Sequence, residues 1–283
     1  MTTAFDNELE QVTELISLPE VYLKIHALMD DSKSDIDDFA RVIKLDPNLT
    51  AKLLKAANSA YFGFSGEIND ISRAVYLMGI QQLHIMVLSI SAVTAVSSLD
   101  FPKDIVDLKT FWRSSLLAGA LSKLLAQQLS IRPGERFFIL GLLHEIGHLV
   151  LYAKFPQLAR EISELAQTGN MRIDQAEREL LGCHYGNIGA RLMKKWKLPI
   201  SFQTMTNYQP TPDQAPEDKI EASILHIAHA YARRQYSENN ECIENLIAKF
   251  AWHSTQLTTE QVEQNLQAAL LISGDMERVV LRP

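Results

Sequence analysis

Imidazoles carry most of the chemistry this sequence could support. Histidine occurs eight times, as His26, His84, His144, His148, His184, His226, His229 and His253. The sharpest local pattern is His144-Glu145-Ile146-Gly147-His148, which matches H-E-x-x-H. On a helix, residues four apart share a face, so both imidazoles could hold one zinc ion with Glu145 as general base. Glu161 or Glu164 is available as a third ligand. Against this reading, the pattern fixes only three residues in five. Gly147 also costs about 1 kcal/mol in a helix interior relative to alanine. His226 and His229 are three apart on an expected helix, close enough to share a partner, although the polar edge of a packed helix is the simpler account of them. His26, His84 and His253 have no partner in sequence and read as core or surface residues. Lys194, Lys195, Trp196 and Lys197 form a basic cluster that a helix C-terminus favours without any phosphate.

Several chemistries are disfavoured. No G-x-x-x-x-G-K-[ST] or G-x-G-x-x-G loop occurs to cradle phosphates, and there is no G-x-S-x-G nucleophile turn. The two cysteines, Cys183 and Cys242, lie far apart, which argues against both a disulfide framework and a thiolate zinc site. A net charge of -7 provides no basic field for nucleic acid or an anionic membrane. The expectation is therefore a protein that binds neither. Ile80 to Val96 is mostly apolar but carries Gln81, Gln82, His84, Ser89, Ser91 and Thr94, so it reads as a buried helix rather than a bilayer span. The start of the chain is acidic and polar, unlike a signal peptide, which places the protein in the cytoplasm.

The elements that must position these residues are helical throughout, because apolar residues recur at helical spacing and strand-like alternation is lacking. Ser34 with Asp37 reads as a capping box. Asp46-Pro47 opens another helix, whose apolar face holds Leu49, Leu53, Leu54 and Ala57. Ile71, Ala74, Val75 and Met78 follow at helical spacing, and Gly79 is expected to end that helix in the left-handed conformation. A long helix runs from about Asp107 to Leu129, with small residues such as Ser115 and Gly119 that allow a close neighbour. The next spans roughly Glu135 to Ala153 and carries His144 and His148 along one stripe. Asp174 with Glu177 suggests a further helix start. A segment from His184 to Trp196 ends at Leu198-Pro199. Gln209 to Pro216 is a loop, and Thr258 with Gln261 forms a last capping box.

Beyond spacing, a set of segments resembles one family. Leu18-Pro19, Ile43-x-x-Asp46-Pro47-x-Leu49 and Leu53-Leu54-x-x-Ala57-Asn58-Ser59-Ala60 are similar to the start of HDOD domains. The likeness continues through Ile68 to Gly79, Phe111-Trp112-Arg113, Gly141 to Gly147, and His184 through Gly189 to Trp196-x-Leu198-Pro199. It covers about the first two hundred residues in order. The resemblance implies an all-α, multi-helix HD-domain-like bundle with an N-terminal helical lobe. Its expected divisions are residues 1–100 for the lobe, 101–210 for the HD-like core and 211–283 for a helical extension completing the core.

HDOD domains resemble HD phosphohydrolases, in which a histidine, a His-Asp pair and a later aspartate hold one or two metals. Carried across, the resemblance puts Ser114 at the first histidine and His144-Glu145 at the His-Asp pair. It puts His148 at a frequent lysine, retains His184, places Tyr208-Gln209 at a histidine pair, and His229 at the final aspartate. A serine and a tyrosine-glutamine pair cannot replace imidazoles as metal ligands with comparable affinity. What remains, without an assigned catalytic residue, is His144, Glu145, His184 and His229, expected as structural relics hydrogen-bonded inside the fold with no cofactor, the alternative being a weak remnant site for a divalent metal (Zn, Fe, Mn or Ni). The implied function is a non-catalytic bacterial signal-transduction module. It would act on a signalling protein partner, or on a nucleotide or cyclic dinucleotide, through a groove between its lobes. The competing reading is a metal-dependent phosphohydrolase acting on such a nucleotide.

Overall fold

A computed structural model describes residues 2–59, 61–236 and 243–281, with side chains from Phe5 onward and none at 244 and 245. Ala60 and Cys242 lie outside the described residues. Helices follow one another along the chain, and no strand occurs among the described residues. The first six are α1 (Thr2–Leu15), α2 (Glu20–Asp30), α3 (Ile36–Lys44), α4 (Pro47–Ala57), α5 (Ile71–Met78) and α6 (Ile80–Ser97). Next come α7 (Leu108–Gln128), α8 (Glu135–Leu143), α9 (Ile146–Lys154), α10 (Pro156–Thr168), α11 (Ile173–Leu181), α12 (Tyr185–Lys195) and α13 (Ile200–Tyr208). The last four are α14 (Lys219–Tyr236), α15 (Ile243–Leu246), α16 (Lys249–Thr255) and α17 (Thr259–Val280).

Local sequence sets most of these boundaries. Asp46 accepts the Leu49 N–H at 3.0 Å, with Pro47 in the first turn of α4. Asp107 caps α7, and Thr258 with Gln261 forms the capping box of α17. The capping box of α3 sits one residue later than Ser34 suggests: Asp35 and Asp38 make it reciprocally. Gly79 does end α5 with a positive φ of 79°, but its ψ of 155° is extended, so the chain turns directly into α6 instead of forming the left-handed cap. The loop after Gln209 contains a short 3-10 turn, Pro212–Gln214.

Helix α6 is the apolar stretch from Ile80. The hydroxyls of Ser89 and Thr94 bond back to the carbonyls of Ile85 and Ile90 at 2.9 and 2.7 Å, which satisfies them inside an apolar helix. This helix and the stretch Glu135–Lys154 are long and apolar enough to cross a membrane, and both are mostly packed inside the fold.

Helices α2 to α6 form the N-terminal lobe, while α1 crosses over to pack on α12. The basic cluster belongs to that contact: Lys195 reaches Glu14 at 2.9 Å, and the Trp196 indole donates to the Ile16 carbonyl at 2.9 Å. At the centre of the second lobe, α7 packs against α8, α14 and α17. The segment from Lys219 onward thus contributes core helices. The lobes share one apolar core, to which Leu83 and Met86 of α6 and Phe138 and Ile139 of α8 all belong, and polar links add to it. The Trp112 indole donates to Ser97 Oγ at 3.1 Å and the Tyr61 hydroxyl donates to Glu135 at 2.9 Å, while within the second lobe Arg113 of α7 grips Glu277 of α17 with two bonds of 2.9 and 2.8 Å.

The small residues of α7 serve the close approach their spacing suggests. A Cβ on Gly141 would sit 2.3 Å from Gly119 Cα, so α7 and α8 touch backbone to backbone. Gly274, on α17, has nothing within 4 Å of its missing Cβ. Gly141→Ala is therefore expected to cost about 3 kcal/mol or more, because no flexible side chain can yield. Gly274→Ala is expected to add roughly 0.5–1 kcal/mol by stiffening the unfolded chain. Urea denaturation of the two variants should move the midpoint in opposite directions.

Candidate metal centre

The helix expected over Glu135 to Ala153 is broken in the middle. Helix α8 stops at Leu143, and Glu145 adopts φ −100°, ψ 11°, outside the helical range. The His148 N–H then bonds to the Glu145 carbonyl at 2.9 Å in a tight turn. Gly147 explains the break. Its Cβ would lie 2.0 Å from the Tyr185 carbonyl and 2.8 Å from the Gly189 nitrogen, so α9 is pressed against the backbone of α12. The glycine that weakens a single-helix H-E-x-x-H reading is required by this contact.

The break sends the two imidazoles of the pentapeptide to different partners. His144, fully buried, places Nε2 2.8 Å from Nδ1 of His229 on α14. Glu145 Oε2 lies 3.7 Å from each of those nitrogens. His144, Glu145 and His229 thus offer three donor atoms to one point. His148 instead lies between two carboxylates, with Nδ1 3.4 Å from Glu145 and Nε2 3.0 Å from Glu177. Its ring also packs on Tyr185, 4.1 Å between centroids.

The remaining expected residues go elsewhere. His184 caps α12: its Nδ1 accepts the Gly186 N–H at 3.0 Å, and it is not among the convergent donors. Gln209, almost fully buried, accepts from the Tyr185 hydroxyl at 2.5 Å and gives its carbonyl to His226 Nδ1 at 2.8 Å. It ties α12 to α14. Ser114, on α7, is likewise outside the donor group. His226 and His229 share no partner, since the second nitrogen of His226 accepts the Ala248 N–H at 3.1 Å.

Glu177 is the important residue that sequence reading misassigns. Asp174 and Glu177 do not cap a helix. The α11 start is Arg172, whose N–H is held by Gln175 at 3.1 Å, and Glu177 is 1% exposed in the helix interior. It accepts the Tyr185 N–H at 2.8 Å as well as facing His148. The apolar face of α11 around Ala176 and Leu181 was the available signal that this carboxylate points inward.

Charge follows from these contacts. Burial alone would raise the Glu145 carboxyl, but His229, His148 and His144 outweigh it and hold the group well below the usual carboxylate range. Burial opposes protonation of His148 too, yet Tyr152, Glu177 and Glu145 around it raise its pKa well above the ordinary value. His144 and His229 are lowered, chiefly by burial, and stay neutral. The result is two carboxylates, one imidazolium and two neutral imidazoles, with one negative charge left over inside the protein.

The donor set fits a divalent ion. His144 Nδ1 lies 2.7 Å from the Gly141 carbonyl and donates to it, which leaves the Nε2 lone pair facing the other donors. This is the outer-shell arrangement usual for a metal-binding histidine. The separations of 2.8, 3.7 and 3.7 Å suit donors that each sit about 2.0–2.2 Å from one ion. A divalent cation would more than offset the single residual negative charge.

Comparison with known proteins identifies the family and the fold. The HDOD domain profile matches residues 15–212. The chain belongs to the HDOD family. Among solved structures, an HDOD domain protein of unknown function from Geobacter sulfurreducens superposes with a TM-score of 0.78 at 19% identity, covering 98% of this chain and 99% of that one. A candidate phosphohydrolase from Shewanella amazonensis gives 0.77 at 25%, covering 96% and 97%. A candidate signal transduction protein from Marinobacter aquaeolei gives 0.71 at 23%, covering 97% and 61%. An uncharacterized protein of Treponema pallidum is 26% identical over 213 residues, 74% of this chain, and this HDOD chain spans only 40% of that relative's length.

Two outcomes test the charge arrangement. Glu177→Gln leaves the His148 imidazolium with one carboxylate and should cost about 3–5 kcal/mol, the usual penalty for breaking a buried ion pair, read from urea unfolding. His226 supplies a pH dependence. Burial, partly offset by the Gln209 carbonyl, pushes its pKa down to about 4, and only the neutral ring can accept from Ala248. Unfolded histidine takes up its proton near pH 6.5, so stability should be lost as pH falls from about 6.5 to about 4, by up to about 3 kcal/mol. His226→Gln should flatten that slope in a pH series of denaturation midpoints.

Proposed function

We propose that this chain is a regulatory module of bacterial signal transduction that acts in the cytoplasm by binding and does not hydrolyse phosphodiesters. The observation that carries this reading is access. Of the donor group, His144 is fully buried, while the side chains of Glu145 and His229 are only 15% and 13% exposed. Four cavities of about 310, 740, 470 and 340 Å³ are lined by none of the three. A phosphodiester needs a substrate-sized hollow against the donors, where its oxygen meets the ion and water attacks from the opposite side. Ser114 and Gln209 also stand where the resemblance places imidazoles.

The largest of those cavities, about 740 Å³, lies where the lobes meet, between Val93 and Ser97 of α6, Trp112 of α7 and Glu277 of α17. A signalling partner or a nucleotide bound there would contact both lobes, and its unequal affinity for their arrangements would shift the population between them.

A second reading, a metal-dependent phosphohydrolase, is favoured by the orientation of His144 through Gly141. When bound, a divalent ion would supply charge neutralisation for phosphate and a more acidic water. The chain's own part would be two imidazole lone pairs from His144 and His229, the Glu145 charge, and a His148 imidazolium that fixes Glu145 in place. Purified protein supplied in turn with Zn, Fe, Mn or Ni should show no more turnover of bis(p-nitrophenyl) phosphate or cyclic dinucleotides than His144→Ala. Turnover that vanishes in that variant would overturn the regulatory reading in favour of the enzyme.

A further inference from the structure

The N-terminal lobe contains a second histidine cluster. Tyr22 and His26 are one turn apart on α2, and His84 faces them from α6. Their rings form a triangle with centroids 5.8, 5.5 and 5.4 Å apart and planes within 10 to 19° of one another. Aromatic packing accounts for the rings, at about 0.5–1.5 kcal/mol a pair. It does not account for their polar atoms. Tyr22 Oη, His26 Nδ1 and His84 Nε2 are sealed from solvent with no hydrogen-bond partner, and Tyr22 is 1% exposed. An orphaned buried polar group costs about 1–3 kcal/mol, so three in one cluster call for a bound species that satisfies them.

We propose that His26 and His84 form a divalent-metal site, separate from His144, Glu145 and His229, for an ion of the imidazole-preferring class to which zinc belongs. The centroid separation of 5.4 Å is within the roughly 6.5 Å that two imidazoles span on one ion with bonds of about 2.0–2.1 Å. Both rings can present a lone pair. His26 Nδ1 and His84 Nε2 are the ring nitrogens without a protein partner, so each is free to face an ion. Asp30, one turn beyond His26, contributes negative charge felt at His84. The Tyr22 hydroxyl, also without a protein partner, would donate to a metal-bound water. The site depends on neither reading of the first centre.

The test is a Zn2+ titration of the full-length wild-type protein followed by long-range 1H–15N spectra of the imidazoles, which resolve the two centres residue by residue. His26 Nδ1 and His84 Nε2 should move to metal-bound shifts at micromolar free zinc, whatever His144 and His229 do. Competition with a chromophoric chelator should then show at least a tenfold weaker site in His84→Phe and a several-fold weaker one in Tyr22→Phe. His26 and His84 resonances unchanged by zinc would overturn the proposal and leave the partnerless atoms to ordered water. The wild-type spectra decide this even if His84→Phe fails to fold.

Discussion

Packing of α9 directly on the α12 backbone at Gly147 constrains nearly everything else at the centre. With no side chain at 147, the Tyr185 carbonyl comes closer than any Cβ would permit. That approach sets where α9 begins, and so forces the turn at Glu145 that ends α8. Once the turn exists, His144 and His148 no longer share a face. One is sent toward α14 and the other toward α11, and Glu145 between them faces both.

The second organising term is electrostatic. Glu145, His148 and Glu177 form a buried carboxylate–imidazolium–carboxylate sequence, with contacts of 3.4 and 3.0 Å. Each carboxylate has further support: Glu177 holds the Tyr185 N–H, and Glu145 faces His144 and His229. Such a network is costly to assemble from water and costlier to leave incomplete. It therefore specifies the relative placement of α9, α11, α12 and α14 more sharply than apolar packing alone, which tolerates exchange of one hydrocarbon shape for another.

Much of this was legible in the sequence, and the rest was hidden for identifiable reasons. Asp46-Pro47, Asp107 and Thr258 with Gln261 announce helix starts because capping is a local interaction between residues two or three apart. The family motifs likewise place His144, Glu145 and His229 in order along the chain. The helix break was not legible, because its cause is a residue of α12 some forty positions away, whereas residues 135 to 153 by themselves have uninterrupted helical periodicity. Glu177 was misread for a similar reason: an acidic residue three after Asp174 imitates a capping box, and only the tertiary position of His148 shows that it is a buried counter-ion. The Tyr22–His26–His84 cluster joins helices nearly sixty residues apart, and no spacing rule connects them.

The two centres differ in how they are held, and the difference bears on what each can do. His144, Glu145 and His229 are fixed from several sides: by Gly141 through the His144 Nδ1 bond, by His148 and Glu177 behind Glu145, and by the packing of α14 along α7. A ligand there meets donors already in position but little room, which suits a retained structural role or an ion more than turnover of a large substrate. His26 and His84 lie on α2 and α6, helices whose apolar faces belong to the same core as the second lobe, with links such as Trp112–Ser97 and Tyr61–Glu135 beside it. A ligand there would tie α2 to α6. Because α6 also lines the cavity where the lobes meet, stiffening it would change the surface offered to a partner there.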